Sequence, residues 1–275
     1  MTAHGQTAKE SVLAGLAVDD YGTSDERPPL VLLHGLTFDR TMWRPALGVL
    51  SRTQSERRAL AFDLPGHGQS APQESYRMDD VVASVHRVIE EAGLRAPVLV
   101  GHSIGAIVAT IYATRHPTSG VVNVDQPLQT AGFAEFLHSL AEQLQGPAFP
   151  SIWNGFLASM HIERLPPDAQ ELLRATSTPQ QALVLGYWDD ILAQPASAMD
   201  ASFESVQAAL RSAGLPYLIV AGDDVDDAYR EWLHQVLPQA MITVLPGSGH
   251  FPQLAHPAAF AACLADTAKW TLLTA

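Results

Sequence analysis

The sequence predicts an α/β fold, a doubly wound and mostly parallel sheet interrupted by a helical insertion, and three observations lead there. Short apolar runs alternate with helical stripes through the first half of the chain and again near its end. The runs end in loops dense in Gly, His, Asp and Ser, where the sites of such sheets lie, beyond the carboxyl ends of the strands. From Gln126 to about Ala213 the alternation stops, and helical stretches follow one another between Pro and Gly with no convincing strand among them.

The elements follow in order. Residues 11–22 suit one or two weakly patterned strands, closed by the polar, Pro-containing stretch Thr23 to Pro29. Leu30-Val31-Leu32-Leu33 is a continuous apolar run, as expected of a strand covered on both faces. It ends in His34-Gly35-Leu36-Thr37, before a helix carrying Trp43 and Leu47. Ala59 to Phe62 forms the next strand and stops at Asp63-Leu64-Pro65-Gly66-His67-Gly68-Gln69-Ser70. Val81, Val82, Val85, Val88 and Ile89 make one helical stripe closed by Gly93. Val98 to Val100 then breaks into Gly101-His102-Ser103-Ile104-Gly105, read as strand, sharp turn and helix, and Gly120 to Val124 is a strand ending at Asp125. Helical stretches are expected at 131–145, 150–160, 167–176, 179–193 and 200–212. The alternation resumes with strands over 215–220 and 241–244, a helix over 227–237 between them, the loop Gly247-Ser248-Gly249-His250-Phe251-Pro252 and a last helix running to the C-terminus. The domain reading is therefore a core of 1–125 and 214–275 with a helical cap, 126–213, inserted over the sheet's edge.

Length and composition narrow the function. The 275 residues, 47% of them hydrophobic, allow a sizeable core. A net charge of -13 lacks the clustered Lys and Arg that a nucleic-acid partner requires. A single cysteine, Cys263, rules out a disulfide framework and reads as a buried, inert thiol. Met1 to Glu10 has no basic segment followed by an apolar core, and no run of 18 apolar residues occurs, so the chain reads as soluble and cytoplasmic with no membrane partner.

The G-x-S-x-G turn carries the chemistry. It lifts the central side chain clear of the strand in a strained conformation, and glycines at 101 and 105 admit the close crossing of strand and helix. Ser103 is the candidate nucleophile. A serine hydroxyl needs an adjacent base, itself oriented by a carboxylate. His250 is the candidate base, because it follows the last strand and lies downstream of the other parts, in the order Ser, acid, His. His4, His86, His116, His138, His161, His234 and His256 fall on helices, helix ends or the terminus and read as surface or packing residues. His34, His67 and His102 sit in motif loops and read as shaping the pocket, with His34 and His102 assigned to substrate binding. The oxyanion of a tetrahedral intermediate needs donors, supplied here by the backbone N–H groups of Ile104 and Leu36. The inserted helices carry Trp153, Phe156, Met160, Tyr187 and Trp188; Trp153, Phe156 and Trp188 are the candidates for lining an apolar substrate pocket.

With these residues in view the chain resembles the α/β-hydrolase superfamily. HGLTFDRTMW resembles its oxyanion loop, FDLPGHGQS the loop after its next strand, GHSIG its nucleophile turn and GSGHFPQLAHP its histidine loop. Four motifs in the right order cover the chain apart from the insertion. The resemblance implies an eight-stranded, mostly parallel sheet, a lid, a Ser-His-Asp triad, no cofactor and no metal. Serine at 103 argues against the branches with aspartate there, the haloalkane dehalogenases and epoxide hydrolases. The acid departs from the family pattern: relatives usually carry it three residues beyond the glycine of Val220-Ala221-Gly222, where this chain has Val225. Asp224 or Asp226 could serve from a shortened loop, and Asp125, at the end of the preceding core strand, is the alternative and is placed slightly ahead of them because the sheet fixes its position.

The expected activity is hydrolysis of a carboxylic ester or lactone of a small, largely apolar molecule through an acyl-enzyme. Acyl transfer, thioester cleavage and carbon–carbon bond hydrolysis use the same groups, as does cofactor-independent peroxidase chemistry. A ligand-binding member of the fold with little turnover is the reading from another class, and the intact serine and histidine count against it.

Overall fold

The structure, a computed structural model, describes residues 8–54, 56–177 and 179–265. Eight strands form one sheet in the order β1-β2-β4-β3-β5-β6-β7-β8. They are β1 (Lys9–Leu13), β2 (Leu16–Tyr21), β3 (Leu30–Leu33), β4 (Ala59–Phe62), β5 (Val98–His102), β6 (Gly120–Val124), β7 (Tyr217–Ala221) and β8 (Ala240–Val244). The β1–β2 hairpin is antiparallel, β2 runs antiparallel to β4, and every later neighbour is parallel. The sheet is thus the eight-stranded, mostly parallel one expected.

The central strands are buried along their whole length, so their sequences are apolar runs, and the period of two sorts each run between two cores. Val31, Leu33, Leu60, Phe62 and Leu99 face one helical layer; Leu30, Leu32, Ala59, Ala61, Val98 and Val100 face the other. The flanking helices are α1 (Arg44–Thr53), α2 (Met78–Glu91) and α3 (Ile104–Ala113), each following its strand. Between β6 and β7 come α4 (Ala131–Ser139), α5 (Ala141–Gln145), α6 (Phe149–Ser159), α7 (Pro167–Thr176), α8 (Gln181–Tyr187), α9 (Asp189–Leu192) and α10 (Ala196–Ala213). The chain closes with α11 (Asp227–Val236), α12 (Pro252–Ala255) and α13 (Pro257–Ala265).

Three sequence boundaries need correction. The helices expected at 131–145 and 179–193 are each two, broken at Leu140 and Trp188, whose backbones leave the helical region (φ -107, ψ 5 and φ -98, ψ 5), neither break residue being Pro or Gly. The last inserted helix starts at Ala196, directly after Pro195, rather than at 200, since proline is readily accepted at a helix start. Cys263 is only half-buried on α13, though burial still raises its thiol pKa. His4 and the final ten residues of the expected C-terminal helix lie outside the described residues.

A buried ion cluster ties the loop after β3 to the loop after β4. Arg40 Nε donates to Asp19 Oδ1 at 2.7 Å, and its Nη1 donates to Asp63 Oδ2 at 2.5 Å. The Arg40 backbone N–H donates to Asp63 Oδ1 at 2.7 Å, while Gln69 N–H reaches Asp63 Oδ2 at 2.8 Å. Asp19 and Asp63 have no exposed surface, so neither carboxylate has water to fall back on. Removing one partner of such a pair leaves an uncompensated buried charge. Arg40→Ala is therefore expected to cost about 3–5 kcal/mol, measured by urea unfolding; a loss under about 1 kcal/mol, the range of a surface pair, would contradict this account of the loop.

Candidate active site

The loops at the carboxyl ends of β3, β5, β6, β7 and β8 converge on one cavity of about 810 Å³. Ser103 stands where β5 turns into α3, with φ 53 and ψ -123, a conformation that L-residues avoid. Its backbone N–H still donates to Val124 O at 3.1 Å, extending the β5–β6 ladder into the turn. The strain is held by packing around two glycines. A Cβ on Gly101 would collide with the Gly105 backbone, and one on Gly105 with the carbonyls of Leu33 and His34. The spacing G-x-S-x-G is thus a consequence of how closely strand and helix cross.

Asp125 is held just as firmly. It follows β6 with φ 53, its N–H donates to Val220 O at 2.9 Å, and its Oδ1 accepts from Gly222 N–H at 2.8 Å. Buried Asn123 fixes the turn, accepting from Gln126 N–H at 3.0 Å and donating to Gln126 O at 2.8 Å. The Tyr217 hydroxyl accepts from Asn123 Nδ2 at 3.1 Å and lies 2.8 Å from Thr110 Oγ1, joining β6, β7 and α3.

Of the three candidate carboxylates, Asp125 is the one beside His250: its Oδ2 lies 2.8 Å from His250 Nδ1. Asp224 accepts from Arg230 at 3.1 Å with its side chain 92% exposed, against 23% for Asp125. Asp226 caps α11, accepting from Tyr229 N–H at 2.7 Å. Both lie on the cavity wall, but their oxygens serve the loop and the helix end.

The His250 loop approaches because Gly222 and Gly249 touch backbone to backbone, where any Cβ on Gly222 would meet Gly249 O. His250 N–H donates to Met160 O at 3.1 Å, and His250 O accepts from His102 Nε2 at 2.8 Å. That acceptor fixes the His102 tautomer with its proton on Nε2, and burial holds the ring's pKa well below the usual histidine range, with the neighbouring His250 adding to the shift. His102 therefore props the histidine loop as a neutral ring. Ser103 Oγ has no hydrogen-bond partner among the described residues; serine–histidine contacts commonly close only around substrate.

Leu36 and Ile104 line the cavity together with Ser103. Ile104 is the first residue of α3, so its N–H has no acceptor within the helix. The backbone turns back right after Leu36, with Thr37 at φ 68. Trp153, Phe156 and Trp188 line the cavity as one aromatic group with ring centroids 5.4–5.9 Å apart.

His34 does not belong to the wall. It has no exposed surface, its Nδ1 donates to Gly35 O at 2.8 Å, and its Nε2 accepts from Leu64 N–H at 2.8 Å. Both nitrogens are consumed in joining the loops after β3 and β4. His67 packs edge-on against it at 4.9 Å, equally buried, its pKa pushed down to about 3 mainly by burial. Histidine in a motif loop thus marks loop architecture here as well as chemistry.

Sequence reasoning also missed residues. His161, read as packing, lines the cavity from a left-handed turn (φ 56) after α6, with Nδ1 3.0 Å from Glu163 Oε1. Phe133 and Phe136 line it from α4 and are 41% and 50% exposed. A Phe pair at i and i+3 beside a polar helix face was the available signal for them. Nothing local signalled His161, which arrives by tertiary packing against Gly249.

Known proteins share this chain's fold. A 2-succinyl-6-hydroxy-2,4-cyclohexadiene-1-carboxylate synthase of Serratia proteamaculans is 26% identical over 245 residues, covering 86% of this chain and 91% of that one. A thermophilic esterase from Thermogutta terrifontis superposes with a TM-score of 0.68 at 21% identity over 96% of this chain and 99% of that one. The haloalkane dehalogenase DatA from Agrobacterium tumefaciens superposes with 0.72 at 21% identity over 97% and 98%, so those two share the fold with this chain whatever their chemistry. The family model described as the alpha/beta hydrolase family matches residues 30–263, and the chain belongs to that family.

Proposed function

We propose that the protein is a serine hydrolase of carboxylic esters or lactones, with Ser103 as nucleophile, His250 as general base and Asp125 as the orienting acid. The observation that carries this reading is the 2.8 Å contact between His250 Nδ1 and the half-shielded Asp125, on a cavity that also exposes a serine held at φ 53. Asp125 keeps the His250 proton on Nδ1, leaving Nε2 free to accept from Ser103 Oγ. As the Oγ–acyl carbon bond forms, the Ser103 hydroxyl proton moves to His250 Nε2 and the carbonyl oxygen becomes an oxyanion, received by the Leu36 N–H and by the Ile104 N–H at the positive end of α3. Collapse breaks the bond to the alcohol oxygen, which takes the proton from His250. Water then repeats the sequence on the acyl-enzyme, releasing the acid and restoring Ser103. No cofactor enters these steps.

The inserted helices α4 to α10 act as a cap in this reading, setting the substrate through their aromatic side chains. The cavity is walled by Phe133, Phe136, Trp153, Phe156 and Trp188, which favours an apolar group, and among the described residues no Lys or Arg lines it, which disfavours an anionic one. Among the described residues no helix is long and apolar enough to cross a membrane; we place the enzyme in the cytoplasm, acting on a small molecule with no nucleic-acid partner.

Two measurements test the assignment. Ser103→Ala is expected to lower kcat on p-nitrophenyl acetate by 10^3-fold or more with an unchanged circular dichroism spectrum; retention of more than a tenth of the activity would refute the nucleophile. Asp125→Asn keeps the shape and removes the charge, and is expected to lose on the order of 10^4-fold, while Asp224→Asn stays within about threefold. The reverse ranking would move the acid to the loop after β7.

A further inference from the structure

Behind the catalytic cavity lies a second, smaller compartment of about 240 Å³. It runs along α3, where Ile104, Ile107 and Ile111 share one face at i, i+3 and i+7, and is closed on the other side by Phe133 of α4 and by Phe203 and Val206 of α10. Ile104, Gln126, Gln129 and Phe133 line both spaces, so the two adjoin along a shared boundary. The exposed Phe133 ring, edge-on to Trp188 at 6.0 Å, stands on that boundary.

We propose that this compartment takes the distal end of a medium-length, uncharged alkyl chain on the acyl side of the ester. The proposal rests on the hydrolase reading above and names its substrate class. The side of the scissile bond follows from the chemistry. The alcohol oxygen must come within reach of His250, which returns its proton, so the leaving group lies toward the His250 loop. None of Met160, His161, Gly249 or His250 lines the compartment; it begins at Ile104, on the oxyanion side, and leads away along α3. The chain's lack of charge follows from the outer rim. Arg77 and Arg115 stand there, but each already has a partner, Arg77 with Asp190 at 2.9 Å and Arg115 with Asp79 at 2.6 Å. Asp190 also accepts from the Met78 N–H at 2.9 Å, which pins that pair in place. An anionic tail would have to displace a carboxylate already paired, whereas methyl and methylene groups meet isoleucine, valine and phenylalanine.

Chain-length kinetics test this directly. Across p-nitrophenyl acetate, butanoate, hexanoate and octanoate, kcat/KM is expected to rise by up to about fourfold per methylene that reaches the compartment. Ile107→Phe and Val206→Phe fill it from opposite walls at half-buried positions, so one wall is tested if the other variant folds poorly. Each is expected to cut the octanoate-to-acetate ratio of kcat/KM at least tenfold; an unchanged ratio in folded protein would overturn the proposal while leaving ester hydrolysis intact. Absence of turnover by the unmodified protein on every ester would instead count against the hydrolase reading. Binding then decides the compartment independently. In a Ser103→Ala background, calorimetry should find methyl decanoate bound at least tenfold more weakly after Ile107→Phe, and equal affinities would overturn the compartment's role.

Discussion

The site depends on one close crossing, where β5 passes into α3 with Gly101 against Gly105 and with Gly105 against the carbonyls that end β3. Nothing bulkier than hydrogen fits at either position. Closeness there goes with the positive φ at Ser103, which stands at the end of β5 on the cavity wall. Asp125 repeats the device one strand over, again at φ 53 and again as a direct continuation of the ladder. Ser103 and Asp125 are thus both placed by the central strands of the sheet. His250 rides on a loop, and is steadied by His102, by Met160 O and by the Gly222–Gly249 contact.

That rigidity has a second support in buried polar groups. Arg40, Asp19 and Asp63 lock the loops after β3 and β4 to each other, and His34, neutral and fully bonded, ties them again through Gly35 O and Leu64 N–H. The Leu36 amide therefore sits on a segment whose neighbours on both sides are fixed by charge-assisted or buried hydrogen bonds, the preorganisation that the proposed oxyanion donor requires. The motif residues HGLTFDR and FDLPGHG are explained largely by this mutual fastening, and only one backbone N–H among them faces the proposed chemistry.

Much of the fold was legible because its signals are local. Continuous apolar runs mark doubly covered strands, the Val and Ile stripe of α2 marks one buried helix face, and the Gly spacing around Ser103 marks a crossing that sequence can describe completely. Asp125 could be ranked above Asp224 on the same ground, since a residue directly at a strand end is placed by the sheet. What stayed hidden depends on partners distant in sequence. His34 and His102 both follow or end a strand in a Gly-rich context, yet one is consumed between loops and the other props His250; only the packed structure separates them. Neither break residue, Leu140 or Trp188, is Pro or Gly, and the wall residues Phe133, Phe136 and His161 belong to an insertion whose docking on the sheet leaves no period in the sequence.

The strained turn at Ser103 is proposed to present an activated nucleophile, and stoichiometric labelling with diisopropyl fluorophosphate reads that out, attack by the serine oxygen forming a P–O bond and expelling fluoride. Peptide mass mapping is expected to place a single adduct on the peptide containing Ser103. An unlabelled protein, or an adduct on any other residue, would contradict the claim.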